Sequence, residues 1–192
     1  MNPFHNARTA FTTEQLQGRV RELGAQIAAD YDGKELALVA VLKGSLYFFA
    51  DLTRAIPMPL QTDCIAFGMN GSFASQPGIV RITKDLDLDV AGKHVVIVED
   101  IVRTGLTLGY LVQHIEARRP ASVSVCTLFD NPDQRLINIP VGYAGFTVSD
   151  AWLMGYGMDA AEQWRHLPYV VEAERSHSTG SRAYTEGIPP RT

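Results

Sequence analysis

Two hydrophobic periods divide this chain, and each switch between them marks an element. Val95-Val96-Ile97-Val98 is an unbroken β-branched run, the pattern of a strand buried on both faces in the middle of a parallel sheet. Beyond it the apolar positions fall at Leu108, Leu111, Val112 and Ile115, which is helical spacing. Thr12 to Gln15 spells a capping box, and Leu16, Val20, Leu23 and Ile27 follow, predicting a helix to about Asp30. Leu36 to Leu42 reads as another buried strand; Lys43-Gly44-Ser45 turns it into a helix starting at Leu46, with Ser45 as the expected cap. Leu60 to Phe67 and Ile79 to Ile82 read as paired strands around a small, polar, glycine-rich tip from Gly68 to Gly78, a composition suited to closing over a site. Lys84 to Asp87 and Gly92-Lys93 lead into the central strand. Pro120 ends the central helix, and Ser122 to Phe129 and Val141 to Val148 supply further strands.

The chemistry concentrates where the central strand meets its helix. Glu99 and Asp100 close the strand, and Thr104, Gly105 and Thr107 form the turn. A turn that opens a helix points unpaired N–H groups and the positive end of the helix dipole at whatever lies there, which favours an anion. Gly105 lets the backbone approach closely, the threonine hydroxyls can donate to phosphate oxygens, and the two acids can accept from neighbouring hydroxyls such as a ribose diol. The turn lacks the Gly-Lys-Ser/Thr ending of a Walker loop and the three spaced glycines of a dinucleotide fingerprint.

Composition narrows the picture. The chain has 192 residues, 20% of them charged, with a formal net charge of -4, enough for one domain and without the basic surplus of a nucleic-acid binder. No apolar run reaches bilayer length, and the first residues lack a basic start with a hydrophobic core, so a cytoplasmic protein is expected. Cys64 and Cys126 lie in apolar strand-like stretches and read as buried free thiols; the five histidines have no metal-ligand spacing. The chain divides into a domain over residues 1–172 and a polar tail over 173–192 that lacks the apolar content to fold.

The stretch Val98-Glu99-Asp100-Ile101-Val102-Arg103-Thr104-Gly105-Leu106-Thr107 resembles the phosphoribosyl pyrophosphate (PRPP) motif of type I phosphoribosyltransferases, and of the hypoxanthine-guanine group most closely. The resemblance covers roughly residues 12 to 170. It implies an α/β fold with a mostly parallel central sheet flanked by helices and a small C-terminal hood. It implies transfer of the 5-phosphoribosyl group from PRPP to a purine-like base, with Mg2+ and as a homodimer or homotetramer, and no nucleic-acid or membrane partner.

Carried over by position, the resemblance puts the 5-phosphate on Thr104, Gly105, Leu106 and Thr107 and the ribose diol on Glu99 and Asp100. Leu42 to Ser45 matches a pyrophosphate loop that commonly holds a non-proline cis peptide, so Lys43 and Gly44 would meet pyrophosphate together with Arg165. Asp159, with Glu99 and Asp100, would serve the metal, Trp152 would stack on the base, and Leu153 would offer its backbone. From the residues alone, Lys43 also fits a solvated loop lysine, Trp152 a core residue, Asp159 a helix cap and Arg165 a surface ion pair.

The chain departs from the family pattern in three places. Met69 and Asn70 stand where the lid carries Ser-Tyr, and Asn131 stands where a lysine donates to the purine 6-oxo group. Arg103 replaces an aspartate that addresses N7, exchanging an acceptor for a permanent donor. Altered base-side residues beside retained PRPP-side residues suggest a different base, a 7-deazaguanine carrying 7-carboxy or 7-cyano. Ordinary hypoxanthine or guanine salvage and a PRPP-sensing regulator are the alternatives.

Overall fold

The computed structural model describes residues 8–68, 81–149 and 152–173. In chain order the elements are β1 (Arg8–Phe11), α1 (Thr13–Asp30), β2 (Leu36–Leu42), α2 (Leu46–Ala55), β3 (Gln61–Gly68), β4 (Arg81–Lys84), β5 (His94–Val102), α3 (Leu106–Glu116), β6 (Ser122–Asp130), β7 (Val141–Thr147), β8 (Trp152–Met154) and β9 (Val170–Ala173), with a 3-10 turn at Pro132–Gln134. The tip from Met69 onward, including Asn70, lies outside the described residues, as does the expected 173–192 tail apart from Ala173, which is not tail but ends β9 opposite Trp152.

Six strands form one sheet in the order β4-β3-β2-β5-β6-β7, parallel except for the β3–β4 pair. The β-branched run of β5 sits between β2 and β6, and Val95 to Val98 are fully buried as their composition requires. Alternate residues feed opposite faces. Leu38, Val96, Val98, Cys126 and Leu128 pack with α1 and α2, whereas Val39, Val95, Ile97 and Val125 pack with α3. From β2 the chain moves outward to β3 and from β5 outward to β6, so the order reverses between β2 and β5. The crevice beyond their carboxyl ends is where an open α/β sheet binds its ligand.

Thr12 and Gln15 make the reciprocal capping box expected of them, at 3.3 and 2.8 Å. Ser45 does not cap α2. Its backbone is already helical, and its buried hydroxyl turns back to donate to the Val41 carbonyl at 2.6 Å, tying the loop to β2. Both cysteines are free, but only Cys126 is buried; Cys64, on β3 before the stretch that pairs with β4, is only partly buried.

β1, β9 and β8 form a separate antiparallel sheet, the hood. Its Leu153, Tyr156, Met158 and Val170 join the α1–α2 core, and Tyr156 Oη donates to Asp51 Oδ2 on α2 at 2.5 Å. Phe11 anchors the hood to the main sheet, with ring centroids 4.9 Å from Phe129 and 4.6 Å from Phe146. Replacing Phe11 with Ala removes both ring contacts and is expected to cost about 2–3 kcal/mol, lowering the melting temperature by about 5–10 °C. Thermal unfolding by circular dichroism checks this; a shift below one degree would mean the hood is held without the aromatic cluster.

Candidate active site

The floor of the crevice is the pair Glu99 and Asp100. Both keep some exposure across the open mouth, yet protein surrounds them closely enough that burial holds Glu99 well above the usual carboxylate range, with Asp100 adding to the rise. Asp100 is pushed up to about 6 by burial; its bond from the Ile101 N–H at 2.7 Å and the Arg165 guanidinium oppose the rise, and Asp159 adds to it. Glu99 Oε2 is buried with no hydrogen-bond partner. A buried acceptor left unsatisfied costs free energy that a donor-bearing ligand would recover.

The turn after β5 rises over this floor. Gly105 has φ +81°, a left-handed conformation that side chains strain to adopt, and it lets α3 begin directly at Leu106. Thr104 Oγ1 accepts weakly from Leu106 N–H at 3.4 Å, and Leu106 itself is exposed. Glu99, Arg103, Thr104, Gly105 and Thr107 line a cavity of about 310 Å³ together with Phe67. Arg135 braces the turn from behind: its Nε donates to the Arg103 carbonyl at 2.9 Å, its guanidinium pairs with Asp130, and Leu136 N–H donates to the Thr104 carbonyl at 3.0 Å.

A second loop and the hood complete the enclosure. The Leu42–Lys43 peptide is cis. Gly44 lies so close to the floor that a Cβ there would stand 1.9 Å from Asp100 Oδ2, and a Cβ on Gly157 of the hood would stand 2.0 Å from the Gly44 carbonyl. The loop is therefore sandwiched between floor and hood, and glycine is required on both sides of the contact. Arg165 donates to the Gly157 carbonyl at 2.8 Å and pairs with Asp159 at 2.8 Å and with Glu162 at 3.2 Å. Lys43 Nζ meets Glu162 Oε2 at 2.5 Å, and that ammonium is the chief cause holding the Glu162 carboxyl below its ordinary value. Two cations and three carboxylates thus face one another where three loops meet, in a shape that can receive a multiply charged anion.

A sequence profile described as the phosphoribosyl transferase domain matches residues 11–161. The hypoxanthine-guanine phosphoribosyltransferase of Mycobacterium bovis is 45% identical over 165 residues, 83% of this chain and 82% of that protein. The hypoxanthine phosphoribosyltransferase of Salmonella typhimurium is 40% identical, over 86% of this chain and 94% of its own length. The crystal structure of a hypoxanthine-guanine phosphoribosyltransferase from Bacillus anthracis, with HEPES in its active site, superposes with a TM-score of 0.82 at 40% identity, covering 87% of this chain and 98% of that one. This chain belongs to the phosphoribosyltransferase family, within its hypoxanthine-guanine branch.

In this phosphoribosyltransferase Glu99, Arg103, Thr104, Gly105 and Thr107 share one cavity, the Gly44 loop packs on Asp100, and Asn131, Trp152 and Leu153 do not line that cavity. Asn131 follows β6, and its N–H donates to the Val102 carbonyl at 2.9 Å. It is fully buried; its Oδ1 accepts from Gln134 N–H at 3.3 Å and its Nδ2 has no partner. Trp152 is half-buried at the start of β8, and the Leu153 side chain turns into the core, leaving its backbone. Sequence reasoning missed Glu162, Gly157 and Arg135. The spacing Asp159-Ala160-Ala161-Glu162 put a second carboxylate one turn from Asp159 and was a readable signal for the first; the other two act through close packing and a contact to backbone. No helix among the described residues is long and apolar enough to cross a membrane.

The raised carboxyls carry a sign. Because the folded value of Asp100 lies above the unfolded value of about 4, its contribution to stability is full below that pH and is lost as pH rises through about 6. Asp100→Asn is expected to melt a few degrees above the ligand-free wild type at pH 7.5, with the difference shrinking toward pH 4. Differential scanning fluorimetry across that range checks it; a variant no more stable at neutral pH would mean the carboxylate is not strained by burial.

Proposed function

We propose that this transferase moves the 5-phosphoribosyl group from PRPP to a planar purine-like base whose position 7 carries a carboxylate or nitrile on a carbon ring atom, a 7-carboxy- or 7-cyano-7-deazaguanine. The observation that carries the reading is Arg103, which lines the cavity beside the turn. A 7-deaza ring has no lone pair at that position for an aspartate to address, whereas a carboxylate or nitrile there accepts from a guanidinium. Asn131, with its unsatisfied Nδ2, is an amide donor without a lysine's charge at the position where the family contacts the 6-oxo group.

In this reading the 5-phosphate rests on the backbone and hydroxyls of Thr104 to Thr107, and the ribose hydroxyls donate to Glu99 and Asp100, satisfying the buried acceptor. Pyrophosphate lies between Lys43-Gly44 and Arg165. The ring nitrogen attacks C1 as the C1–O bond to pyrophosphate breaks, and the ring N–H proton passes to solvent or to the leaving group. The cation of Arg103 beside the ring lowers the cost of that deprotonation. Trp152 offers an aromatic face and Leu153 its backbone to the base.

No group of three or more histidine, cysteine or acidic residues able to cage a metal exists among the described residues. Mg2+ keeps most of its waters and is held by few carboxylates together with substrate phosphates. Asp159, Glu99 and Asp100 would hold it, and it would neutralise charge on departing pyrophosphate. Cytoplasmic location and a homodimer or homotetramer accompany the reading. The identity with relatives named as hypoxanthine-guanine enzymes favours ordinary salvage as the second reading.

Pyrophosphate release from PRPP with Mg2+ is expected with 7-cyano- or 7-carboxy-7-deazaguanine in clear preference to guanine, hypoxanthine and xanthine. Turnover of guanine or hypoxanthine alone would return the enzyme to salvage, and tight PRPP binding without any turnover would favour a sensor. Arg103→Asp is expected to shift the ratio of kcat/KM toward hypoxanthine and guanine by tenfold or more, on the order of the 1–3 kcal/mol that one charged contact contributes. An unchanged ratio would remove Arg103 from base selection.

A further inference from the structure

Glu162 has no part in the scheme above, yet it occupies the centre of the pyrophosphate end. One carboxylate oxygen, Oε2, lies 2.5 Å from Lys43 Nζ and the other, Oε1, lies 3.2 Å from Arg165 Nη2. A single side chain thereby bridges the two cations assigned to pyrophosphate. Its turn is built to put it there. Ala161 and Glu162 both adopt left-handed backbone, φ +52° and +63°, uncommon for residues with side chains, and Glu162 N–H donates to Asp159 Oδ2 at 2.8 Å. We propose that Glu162 is an internal stand-in for pyrophosphate, which neutralises Lys43 and Arg165 in the ligand-free chain, is displaced by the phosphates of PRPP, and returns to help expel the product.

The magnitudes allow the exchange. The Lys43 and Glu162 side chains are 64% and 66% exposed, whereas Arg165 and Asp159 are 20% and 30% exposed. An exposed ion pair is worth about 0.2–1 kcal/mol, small beside what several phosphate oxygens gain from the same two cations. Asp159 and the Gly157 carbonyl hold Arg165 in place after Glu162 leaves. Glu162 therefore tunes affinity without being needed to build the site.

The inference rests on the reading that Lys43 and Arg165 receive pyrophosphate, and the test separates the two. Glu162→Gln keeps the shape and removes the charge; Glu162→Ala removes the side chain, at an exposed position where folding is not at stake. Isothermal titration with PRPP and with inorganic pyrophosphate, both with Mg2+, should give affinities about two- to fivefold tighter in each variant than in wild type. KM for PRPP should fall by a similar factor, KM for the base should stay unchanged, and the ratio between variant and wild type should shrink in 0.5 M salt as screening removes the competing pair. Weaker binding would make Glu162 a strut that positions the cations, and equal binding would make it a surface pair without consequence; either overturns the inference while leaving the pyrophosphate site standing. A wild-type chain that binds neither PRPP nor pyrophosphate would overturn the underlying reading as well.

Discussion

Two adjacent carboxylates at the end of the central strand impose the constraint around which this molecule is arranged. β5 can carry Glu99 and Asp100 to the middle of the crevice only because its preceding four residues are buried between β2 and β6, which fixes the strand in depth and direction. Once there, the acids are expensive: burial raises both, Asp100 raises Glu99 further, Asp159 adds to the rise of Asp100, and Glu99 is left with an unsatisfied oxygen. The surroundings are explained by that cost. The Gly44 loop crowds Asp100 at a distance that excludes any side chain, Gly157 clamps the loop from the other side, and Arg165 reaches in from the hood as the counter-charge. A floor of this kind is unfavourable alone and becomes favourable when a ligand brings hydroxyl donors and cations, which couples stability to occupancy.

Much of this was legible in the residues, for identifiable reasons. Contiguous β-branched runs, a capping box and helical spacing are local signals, so the core strands, α1 and α3 could be placed, and the acid-hydroxyl-glycine turn could be assigned to an anion. The elements that escaped are non-local. β1 and β9 are four-residue strands whose partner lies across the whole chain, Arg8 opposite Glu172, and nothing within either segment announces the pairing. Ser45 looked like a cap because serine before a helix usually is one. Its helical backbone, set by the loop that precedes it, turned the hydroxyl to Val41 instead. Gly157 and Arg135 were unreadable for the same reason: each matters through a partner more than 30 residues away.

Among the described residues, the two divergent positions, Arg103 and Asn131, have their main chain fixed by hydrogen bonds. The Arg103 carbonyl is held by Arg135, which is itself paired with Asp130, and Asn131 N–H is held by the Val102 carbonyl. A scaffold braced at the main chain allows a side chain to be exchanged without moving the turn that meets the phosphate. Under the proposed function, that separation would let the residue at position 103 change from acceptor to donor while the backbone of the turn keeps its geometry.

The hood then acts as more than a cover. Arg165 is anchored by Asp159 and by the Gly157 carbonyl, both on the hood, and the hood is itself tied to α2 through Tyr156 and Asp51 and to the main sheet through Phe11. The inner contacts of Arg165 are shielded and the outer one, to Glu162, is open to water. Charge around Arg165 is thus arranged in two layers: an inner one, Asp159 and the Gly157 carbonyl, that orients the guanidinium, and an outer one, Glu162, that is open to exchange. A site that must admit a highly charged substrate and release a highly charged product needs both, because cations held only by the ligand would collapse onto the carboxylates when it left, and cations held only by buried partners would have no charge to offer.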